Sequence, residues 1–382
     1  VSVCPAGTPY YSAKTVCSVP VFDVYQSSPQ KCIKCHCEAS NQGPTYPENS
    51  MRPRIPSLIV FISLWLNLLG TVSAQEMSSE ILDRLQFRSI GPANMSGRIV
   101  DLAVLEKDPY TFYVATATGG LWKTTNNGVT FQPIFDDGGT HSIGDITVHQ
   151  EADSVLWVGT GERANRQSSS WGDGVYKSTD SGLSWQNMGL RDSHHIGRIV
   201  LHPENSDLVY VAAMGHLWGA NEQRGLYRSS NGGVNWSRIL YIDDDTGVVD
   251  VAMDGTNPNV LYAATYQRRR RPFGFHGGGP GSGLYKSTDG GDTWSELTDG
   301  LPAGDKGRIG ISIYRNNPDI VYASVEQGYH YNASTAYLDR RAGLFRSEDS
   351  GLSWTLMSDW NPRPMYASQP LVDPNDDQRI YM

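Results

Sequence analysis

The sequence predicts an all-β fold, a β-propeller of four-stranded antiparallel blades, and three features of the 382-residue chain favour it. One octapeptide recurs five times, and a hydrophobic phrase recurs upstream of each copy. The 20 Tyr and 10 Trp favour short strands over long helices. Repeats at this spacing are typical of folds in which one supersecondary unit is used again and again.

The octapeptide has the form S/T-x-D/N-x-G-x-S/T/N-W/F. Its copies begin 54, 51, 58 and 60 residues apart and read TTNNGVTF (124–131), STDSGLSW (178–185), SSNGGVNW (229–236), STDGGDTW (287–294) and SEDSGLSW (347–354). This pattern predicts a tight hairpin turn, in which an Asp or Asn side chain accepts backbone N–H groups and a Gly adopts positive φ. The expected turn residues are Asn126, Asp180, Asn231, Asp289 and Asp349, and the aromatic residues expected to pack between sheets are Trp185, Trp236, Trp294 and Trp354. We assign all of them structural roles.

The upstream phrase supplies two more strands to each unit. It reads, for example, GRIVDLAVLEKDPYTFYVA (97–115) and IGRIVLHPENSDLVYVA (196–212), with a Pro, Asn or Asp turn between the strands. A third strand such as GLYK, the octapeptide turn and a fourth strand complete a blade, whose strands we call A to D. The sequence predicts five blades and the start of a sixth near Tyr366. Because propellers close on themselves to hide sheet edges, we expect a fragment of a larger propeller.

The octapeptide is similar to the Asp box of sialidase-like propellers. The run from FRSIGPANMSGRIVDLAV at Phe87 onwards resembles exported Asp-box (BNR-like) repeat proteins of bacteria, and the resemblance covers about residues 87–382. Those proteins are grouped with the N-terminal propeller of the sortilin-type vacuolar-sorting receptor and are often labelled glycosyl hydrolases. The resemblance implies a propeller that binds a protein, peptide or glycan, or one that cleaves a glycan.

The motifs for catalysis are weak. Xyloglucanase-type relatives place a catalytic Asp in a phrase like RTDVGGAYR, whereas the matching phrase here, ATATGGLWK (115–123), has Ala117 at that position. An Ala side chain cannot transfer a proton, which disfavours this mechanism. The repeated Gly-Arg-Ile of Arg98, Arg198 and Arg308 favours a structural role for these arginines. No Ser/His/Asp signature and no zinc-like histidine spacing is evident, so no cofactor and no metal site is predicted.

The N-terminal region differs from the rest. All five cysteines lie in the first 37 residues, including a C-I-K-C-H box at 32–36, but a secretory signal peptide follows at 51–74. Its basic start at Arg52 and Arg54, its apolar run and its cleavage site after Ala74 have the expected order, and the run is short for a membrane span. We expect residues 1–50 to be a non-native upstream extension and assign no haem. The alternative is a signal anchor with a cytoplasmic head.

Together these features divide the chain into the extension (1–50), the signal peptide (51–74), a mature lead-in (75–86) and the propeller (87–382). The mature protein is expected to be secreted, periplasmic or part of the cell envelope, without a stable membrane span. A net charge of −9 argues against a nucleic-acid partner. The sequence leaves the oligomeric state open.

Length variation points to one binding face. The B–C connections carry long inserts, such as GERANRQSSSWGDG (161–174) and EQGYHYNASTAYLDRRAG (326–343), and insertions on one face of a repeat protein usually mark its binding face. The predicted ligand contacts on this long-loop face are Arg163, Trp171, His195, His216, Trp218, His276, Tyr329, His330 and Arg340. Aromatic, Arg and His side chains suit sugars, acidic glycans or peptide carboxylates. We expect Arg268–Arg271 to be a solvated, flexible run.

Two functions remain open. One is a non-catalytic propeller that binds a protein, peptide or glycan on the long-loop face. The other is a glycoside hydrolase with its acid and base there, for which Glu162 is the best single candidate, although nearby arginines favour an ion pair. Glu222, Glu326 and Asp339 are the other candidate carboxylates. A close carboxylate pair, one member with a raised pKa, would favour hydrolysis.

Overall fold

The computed structural model describes residues 97–166, 169–327, 342–361, 363, 365–366 and 369–382. The predicted extension, signal peptide and lead-in lie outside the described residues, and so do Tyr329, His330, Asp339 and Arg340. Their assignments stay predictions. In the part that is described, none of the helical structure is long and apolar enough to cross a membrane.

The described residues form six sheets in succession along the sequence. Four strands make up the antiparallel path of each of the first five sheets, and blade 4 has a fifth strand beside this path. Blade 1 contains Ile99–Val104, Phe112–Thr116, Leu121–Thr124 and Gln132–Pro133 (β1–β4). Blade 2 contains Ile143–Val148, Leu156–Thr160, Val175–Ser178 and Gln186–Asn187 (β5–β8). Blade 3 contains Ile196–Leu201, Val209–Ala213, Gly225–Ser229 and Ser237–Leu240 (β9–β12). A 3₁₀ turn, Arg191–Ser193, connects blades 2 and 3.

Blade 4 contains Thr246–Met253, Leu261–Arg271, Leu284–Ser287 and Ser295–Leu297 (β13, β14, β16 and β17), and Gly274–Gly277 (β15) adds a hairpin to β14. Blade 5 contains Lys306–Ile313, Val321–Gln327, Gly343–Ser347 and Thr355–Ser358 (β18–β21). Blade 6 begins with Leu371–Asp373 and Asp376–Tyr381 (β22 and β23). Five blades and the start of a sixth confirm the predicted β-propeller.

Strand A of each blade packs beside strand A of the next, so that β1, β5, β9, β13, β18 and β22 form the inner wall in that order. A separate hydrophobic cluster fills each space between neighbouring blades. Between blades 1 and 2, for example, Tyr113 and Leu121 share a buried cluster with Ile143 and Leu156. Each such side chain contributes about 1.5–3 kcal/mol on burial, so the blades are held together chiefly by these contacts.

The octapeptide turns are closed by hydrogen bonds from two side chains. In blade 2, Ser178 Oγ donates to Asp180 Oδ1 (2.7 Å) and accepts from the Gly182 N–H (2.9 Å), while Asp180 Oδ1 accepts from the Ser184 N–H (2.8 Å). The same pattern recurs in blades 3, 4 and 5. The Ser181 N–H also donates to the Ser154 carbonyl in the A–B turn (3.0 Å). The octapeptide and A–B turns therefore share one face, and the long connections lie on the other.

Strand A residues also connect consecutive blades. Asp145 Oδ2 accepts the Ile199 N–H of blade 3 (2.8 Å), and Asp250 Oδ2 accepts the Ile311 N–H of blade 5 (2.8 Å). In each of the first four blades, one residue of strand A pairs with the fourth residue of strand B. These residues are Asp101, Asp145, Arg198 and Asp250. Arg198 is thus not the structural counterpart of Arg98 and Arg308, although all three stand in a Gly-Arg-Ile phrase.

The expectation of a solvated run at Arg268–Arg271 is wrong. These residues end β14 and pair with β15, and the side chain of Arg268 is fully buried. The Arg270 N–H also donates to the Leu217 carbonyl of blade 3 (2.8 Å). The Gly-rich segment that follows is therefore a hairpin held against the neighbouring blade.

Candidate functional site

A glycine directs Glu162 into the interior of the long-loop face. Gly161 follows β6 with φ +85°, and a Cβ atom there would lie 1.9 Å from the His194 carbonyl oxygen. Only glycine permits this approach. The next residue, Glu162, is fully buried, and its Oε1 lies 2.8 Å from Nη2 and 3.1 Å from Nε of Arg98. The ion pair predicted for Glu162 is present, but its partner comes from blade 1 and not from Arg163 or Arg166.

A central ion network lies deeper, on the inner wall. Arg163 Nη1 donates to Asp145 Oδ1 (2.8 Å), and Arg198 contacts Asp145 Oδ1 (3.3 Å) and Asp250 Oδ1 (3.1 Å). Burial, and secondly the neighbouring Asp101 carboxylate, raise the pKa of Asp145 well above its usual value, against the opposing effect of the two arginines. Because the network joins four blades, we infer that it stabilises the packing of these blades against one another.

Above this network lies an inner cavity of about 300 Å³. Its lining residues are Arg98, Ile99, Val100, Arg163, Ala164, Arg308, Tyr366 and Gln369. Arg308 donates from Nη1 to the Tyr366 carbonyl (3.1 Å), which holds the segment between blades 5 and 6 across the funnel. The Asn165 N–H of blade 2 donates to the Met365 carbonyl in the same segment (3.0 Å).

An outer cavity of about 400 Å³ shares Tyr366 with the inner one. Its lining residues are Asn165, Arg166, Arg270, Phe275, Arg363, Met365 and Tyr366. The guanidinium of Arg270 lies 5.8 Å from the Phe275 ring centroid, and that of Arg363 lies 5.2 Å from the Tyr366 ring centroid. No carboxylate occurs among the described residues that line either cavity. We call the two cavities together the arginine cleft.

Arg268 lies within electrostatic range of the cleft residue Arg308 and has no hydrogen-bond partner in the described part of the chain. Its side chain is fully buried, and none of its three guanidinium nitrogens has an acceptor there. Burial, and secondly the positive charge of Arg224, lower the pKa of Arg268 to about 9. A buried cation with unused donors is costly, so this region strongly favours an anion nearby.

Glu326 is the last residue but one of β19, on the same side of the funnel. It is 7% exposed, and its Oε2 accepts the Arg308 N–H (2.9 Å). Burial raises the pKa of Glu326 to about 7, and the Arg308 N–H and charge oppose the rise. At neutral pH this carboxyl can therefore carry a proton, which is the property that a general acid needs.

A second polar cluster lies between blades 2 and 3. The rings of His194 and His216 stack with centroids 3.7 Å apart, and His216 Nε2 lies 3.1 Å from Asp192 Oδ1. One ligand atom from each of the three residues lies within 4.8 Å of the others, which makes this the candidate metal centre among the described residues. The exposed Trp171 ring lies 5.6 Å from the His194 ring.

The predicted ligand-contact residues differ in their exposure to solvent. Trp171 and Trp218 are exposed, and His216 and His276 are half-buried, so all four are accessible on the long-loop face. His195, a predicted ligand contact, does not lie on the accessible surface. It is 1% exposed, and its Nδ1 lies 3.0 Å from the Glu162 carbonyl oxygen, so it supports that residue from within.

Arg163 is also buried: it donates to the Gly197 carbonyl (3.3 Å) and to the Val100 carbonyl, and it forms part of the wall of the inner cavity. Glu222 lies apart from both cavities and contributes its carbonyl as an acceptor for Arg238.

Sequence reasoning missed most of the arginines that line the cleft. Arg98 and Arg308 were assigned structural roles, and Arg270 was placed in a flexible run. Arg363 belongs to none of the motifs, and it lines the outer cavity together with Met365 and Tyr366. The sequence feature that could have indicated the cleft is the concentration of arginine in the long connections.

The fold and this surface define a class: a β-propeller with a cationic cleft on its long-loop face. The family model described as "Sortilin, neurotensin receptor 3" matches residues 173–303. The chain is 25% identical over 268 residues to the xyloglucanase Xgh74A of Acetivibrio thermocellus, covering 61% of this chain and 29% of the relative. It is 24% identical over 222 residues to a xyloglucanase of Hypocrea jecorina, covering 48% of this chain and 24% of the relative.

Solved structures agree on the fold. The GH74 enzyme of Niastella koreensis superposes with a TM-score of 0.53 at 20% identity, covering 74% of this chain and 43% of that chain. The GH74 xyloglucanase of Xanthomonas campestris gives a TM-score of 0.53 at 19% identity, covering 75% and 43%. The chain is a propeller that resembles sortilin-type and glycosyl hydrolase proteins, as predicted. It spans less than a third of the length of the curated relatives it matches.

Proposed function

We propose that this protein is an exported propeller that binds an acidic glycan, one bearing carboxylate groups, in the arginine cleft. The observation that carries the proposal is the lining of the outer cavity, in which three arginines and two aromatic rings surround about 400 Å³. Arginine pairs with carboxylates through two parallel hydrogen bonds, and aromatic faces accept sugar rings. The likeness to xyloglucanases favours a glycan over a peptide. Export rests on the signal peptide predicted at 51–74.

The cleft suits an anion more than a neutral sugar. Within the described residues, neither Arg270 nor Arg363 pairs with an Asp or Glu, and both line the outer cavity. The fully buried Arg268 adds a positive charge within electrostatic range of Arg308, which lines the inner cavity. A neutral oligosaccharide would leave these charges uncompensated, whereas a uronic acid would pair with them.

The test compares two adjacent arginines. Oligogalacturonate and a neutral xyloglucan oligosaccharide are titrated by calorimetry into the wild type, Arg270→Ala and Arg271→Ala. We expect the acidic sugar to bind, Arg270→Ala to weaken it about ten- to a hundredfold, and the exposed Arg271→Ala to leave it nearly unchanged. Equal affinity for the neutral sugar, or equal loss in both variants, would contradict the proposal.

Glycoside hydrolysis is the second candidate, favoured by one observation. The raised pKa of Glu326 gives the funnel a carboxyl that is protonated near neutral pH, and Glu162 supplies a second buried carboxyl on the same face. Two observations disfavour hydrolysis. Both Nε and Nη2 of Arg98 contact Glu162 Oε1, and Ala117 stands where the xyloglucanase-type phrase has its catalytic Asp. Glu326→Gln and wild type should be compared for release of reducing ends from both sugars. Cleavage by wild type that the variant loses would support hydrolysis.

A further inference from the structure

The Asp192–His194–His216 cluster has the composition and spacing of a metal site. Asp192 Oδ1 lies 3.1 Å from His216 Nε2 and 3.8 Å from His194 Nε2. Two ligands of a tetrahedral ion with bonds of about 2.0–2.1 Å lie roughly 3.4 Å apart, and the observed separations fall on either side of that value. The three ligand atoms lie within 4.8 Å of one another, and a turn of the stacked imidazole rings would direct both nitrogens at one ion.

The backbone holds His194 in a conformation that few residues adopt. Its φ of 58° and ψ of −35° lie outside the regions that side-chain-bearing residues prefer. The Gly172 N–H donates to its carbonyl oxygen (2.7 Å), which fixes the position across the loop of blade 2. This strained backbone conformation fixes the orientation of the His194 ring, which stacks on the ring of His216.

The acid is oriented as well. Asn221 Nδ2 lies 3.2 Å from Asp192 Oδ2 and 3.3 Å from the Asp192 carbonyl oxygen. That contact occupies the second carboxylate oxygen and leaves Oδ1 directed at the two imidazoles. Outer contacts that orient ligands in this way accompany metal sites generally.

Each of the three side chains is partly exposed to solvent. The side chains are 58%, 29% and 23% exposed for Asp192, His194 and His216, so the cluster is open to solvent on one side.

We propose that Asp192, His194 and His216 bind a divalent transition metal ion of the Zn²⁺ type, with a remaining coordination position open on the long-loop face. Two imidazoles and one carboxylate select Zn²⁺, Ni²⁺, Co²⁺ or Cu²⁺ over Ca²⁺ and Mg²⁺, which take oxygen ligands. The site is separate from the arginine cleft in its residues, and its existence does not depend on the proposed glycan.

Zn²⁺ stoichiometry is the direct test. Metal-free full-length protein, kept reduced, is titrated with ZnCl₂ by calorimetry as wild type, His194→Ala, His216→Ala and His141→Ala. The last is a control because His141 is an exposed histidine outside the cluster. Cysteine thiolates in general are Zn²⁺ ligands and five cysteines lie at positions 4–37, so the readout is the difference between variants. We expect the two cluster variants to lose one equivalent and the control to lose none; equal stoichiometry in all four would overturn the site.

Trp171 provides a local readout, because its ring lies 5.6 Å from the ring of His194. Ni²⁺ bound at the cluster should quench Trp171 fluorescence, since the indole lies beside His194. We expect the quenching to disappear in Trp171→Phe and in His216→Ala. Quenching that persists in His216→Ala would overturn the assignment.

Asp192→Asn separates a metal site from a merely structural contact. An amide still accepts a hydrogen bond from His216 but is a poor ligand, so melting temperature should be nearly unchanged while Zn²⁺ affinity at the site falls more than about tenfold. Unchanged Zn²⁺ affinity in Asp192→Asn would show that the cluster is held by stacking and hydrogen bonds alone.

Discussion

Arg98 and Glu162 join blade 1 to blade 2 through a charge pair whose acidic member is fully buried and whose basic member is about one-third exposed. The guanidinium reaches Glu162 Oε1 through Nη2 and Nε, at 2.8 and 3.1 Å. The exposed pair Arg315–Glu106 joins blades 5 and 1 at 3.3 Å, so the chain offers both a buried and a surface example.

Arg98→Ala should lower the free energy of unfolding by roughly 3 kcal/mol, because it leaves the Glu162 carboxylate buried and uncompensated. Arg315→Ala should cost less than about 1 kcal/mol, since both partners are solvated and screened. Urea unfolding of the two variants beside wild type measures the difference. Similar losses for both would mean that the Glu162 environment is wetter than the structure shows.

Gly161→Ala tests how Glu162 is positioned. The new Cβ would meet the His194 carbonyl oxygen at 1.9 Å, so both backbone strain and a steric clash oppose it. Gly120→Ala is the matched control, because Gly120 has φ +76° but nothing within 4 Å of the added atom. We expect the control to cost about 1–2 kcal/mol from strain alone, and Gly161→Ala to cost clearly more in thermal melts. Equal costs would indicate that the loop yields freely.

The sequence was sufficient for the fold because the propeller is a local repeat. Each octapeptide turn is closed by its own Ser or Thr and its own Asp or Asn, as at Ser178 and Asp180, so eight consecutive residues carry the whole signal. The inner strands follow from the same periodicity. The identity of Asp145 and Asp250 as acceptors for the next blade was not foreseen, because the pairing spans more than 50 residues.

The site was harder to predict because its residues converge from distant loops. Arg268 illustrates the difficulty: four consecutive arginines before a Gly-rich segment are typical of a solvated loop, yet β15 pairs with them and buries the first. His194 and His216 are 22 positions apart and show no ligand spacing. Only the approach of the connection after blade 2 to the loop of blade 3 makes them neighbours.

Ser287→Ala tests the octapeptide turn in blade 4. Ser287 is 2% exposed, and its Oγ donates to Asp289 Oδ1 (2.7 Å) and accepts the Gly291 N–H (2.9 Å). Removal leaves a buried N–H unpaired, so the free energy of unfolding should fall by roughly 1–3 kcal/mol without a change in glycan affinity. Ser295→Ala, at an exposed strand position of the same blade, should be nearly neutral. Loss of glycan binding by folded Ser287→Ala would show that the site extends to the opposite face.

The predicted signal peptide at 51–74, which lies outside the described residues, can be tested through its cleavage site. If 51–74 is a signal peptide, the secreted protein begins at Gln75, directly after Ala74. N-terminal sequencing of protein from the medium or periplasm measures this. Ala74→Arg should block processing, because the cleavage site requires a small residue, whereas Ala93→Arg should not. Retention of Cys4 or Cys32 in the exported protein would contradict the assignment.

Glu326 should make stability depend on pH. Its pKa rises from 4.5 in the unfolded chain to about 7 in the folded protein, so between these values the native state holds a proton that the unfolded state has lost. Stability from this group is therefore full below about pH 4.5 and falls as the pH rises to 7, by at most roughly 3 kcal/mol.

Glu326→Gln should remove that slope, since a neutral amide can still accept the Arg308 N–H and does not ionise. Thermal melts of wild type and variant from pH 4 to pH 8 measure the effect. We expect the variant to gain stability relative to wild type as the pH rises, with most of the change between pH 4.5 and 7. Glu151→Gln, at an exposed position, should show no such trend. Parallel pH profiles for Glu326→Gln and wild type would mean that the carboxyl is solvated, and would remove the principal observation in favour of hydrolysis.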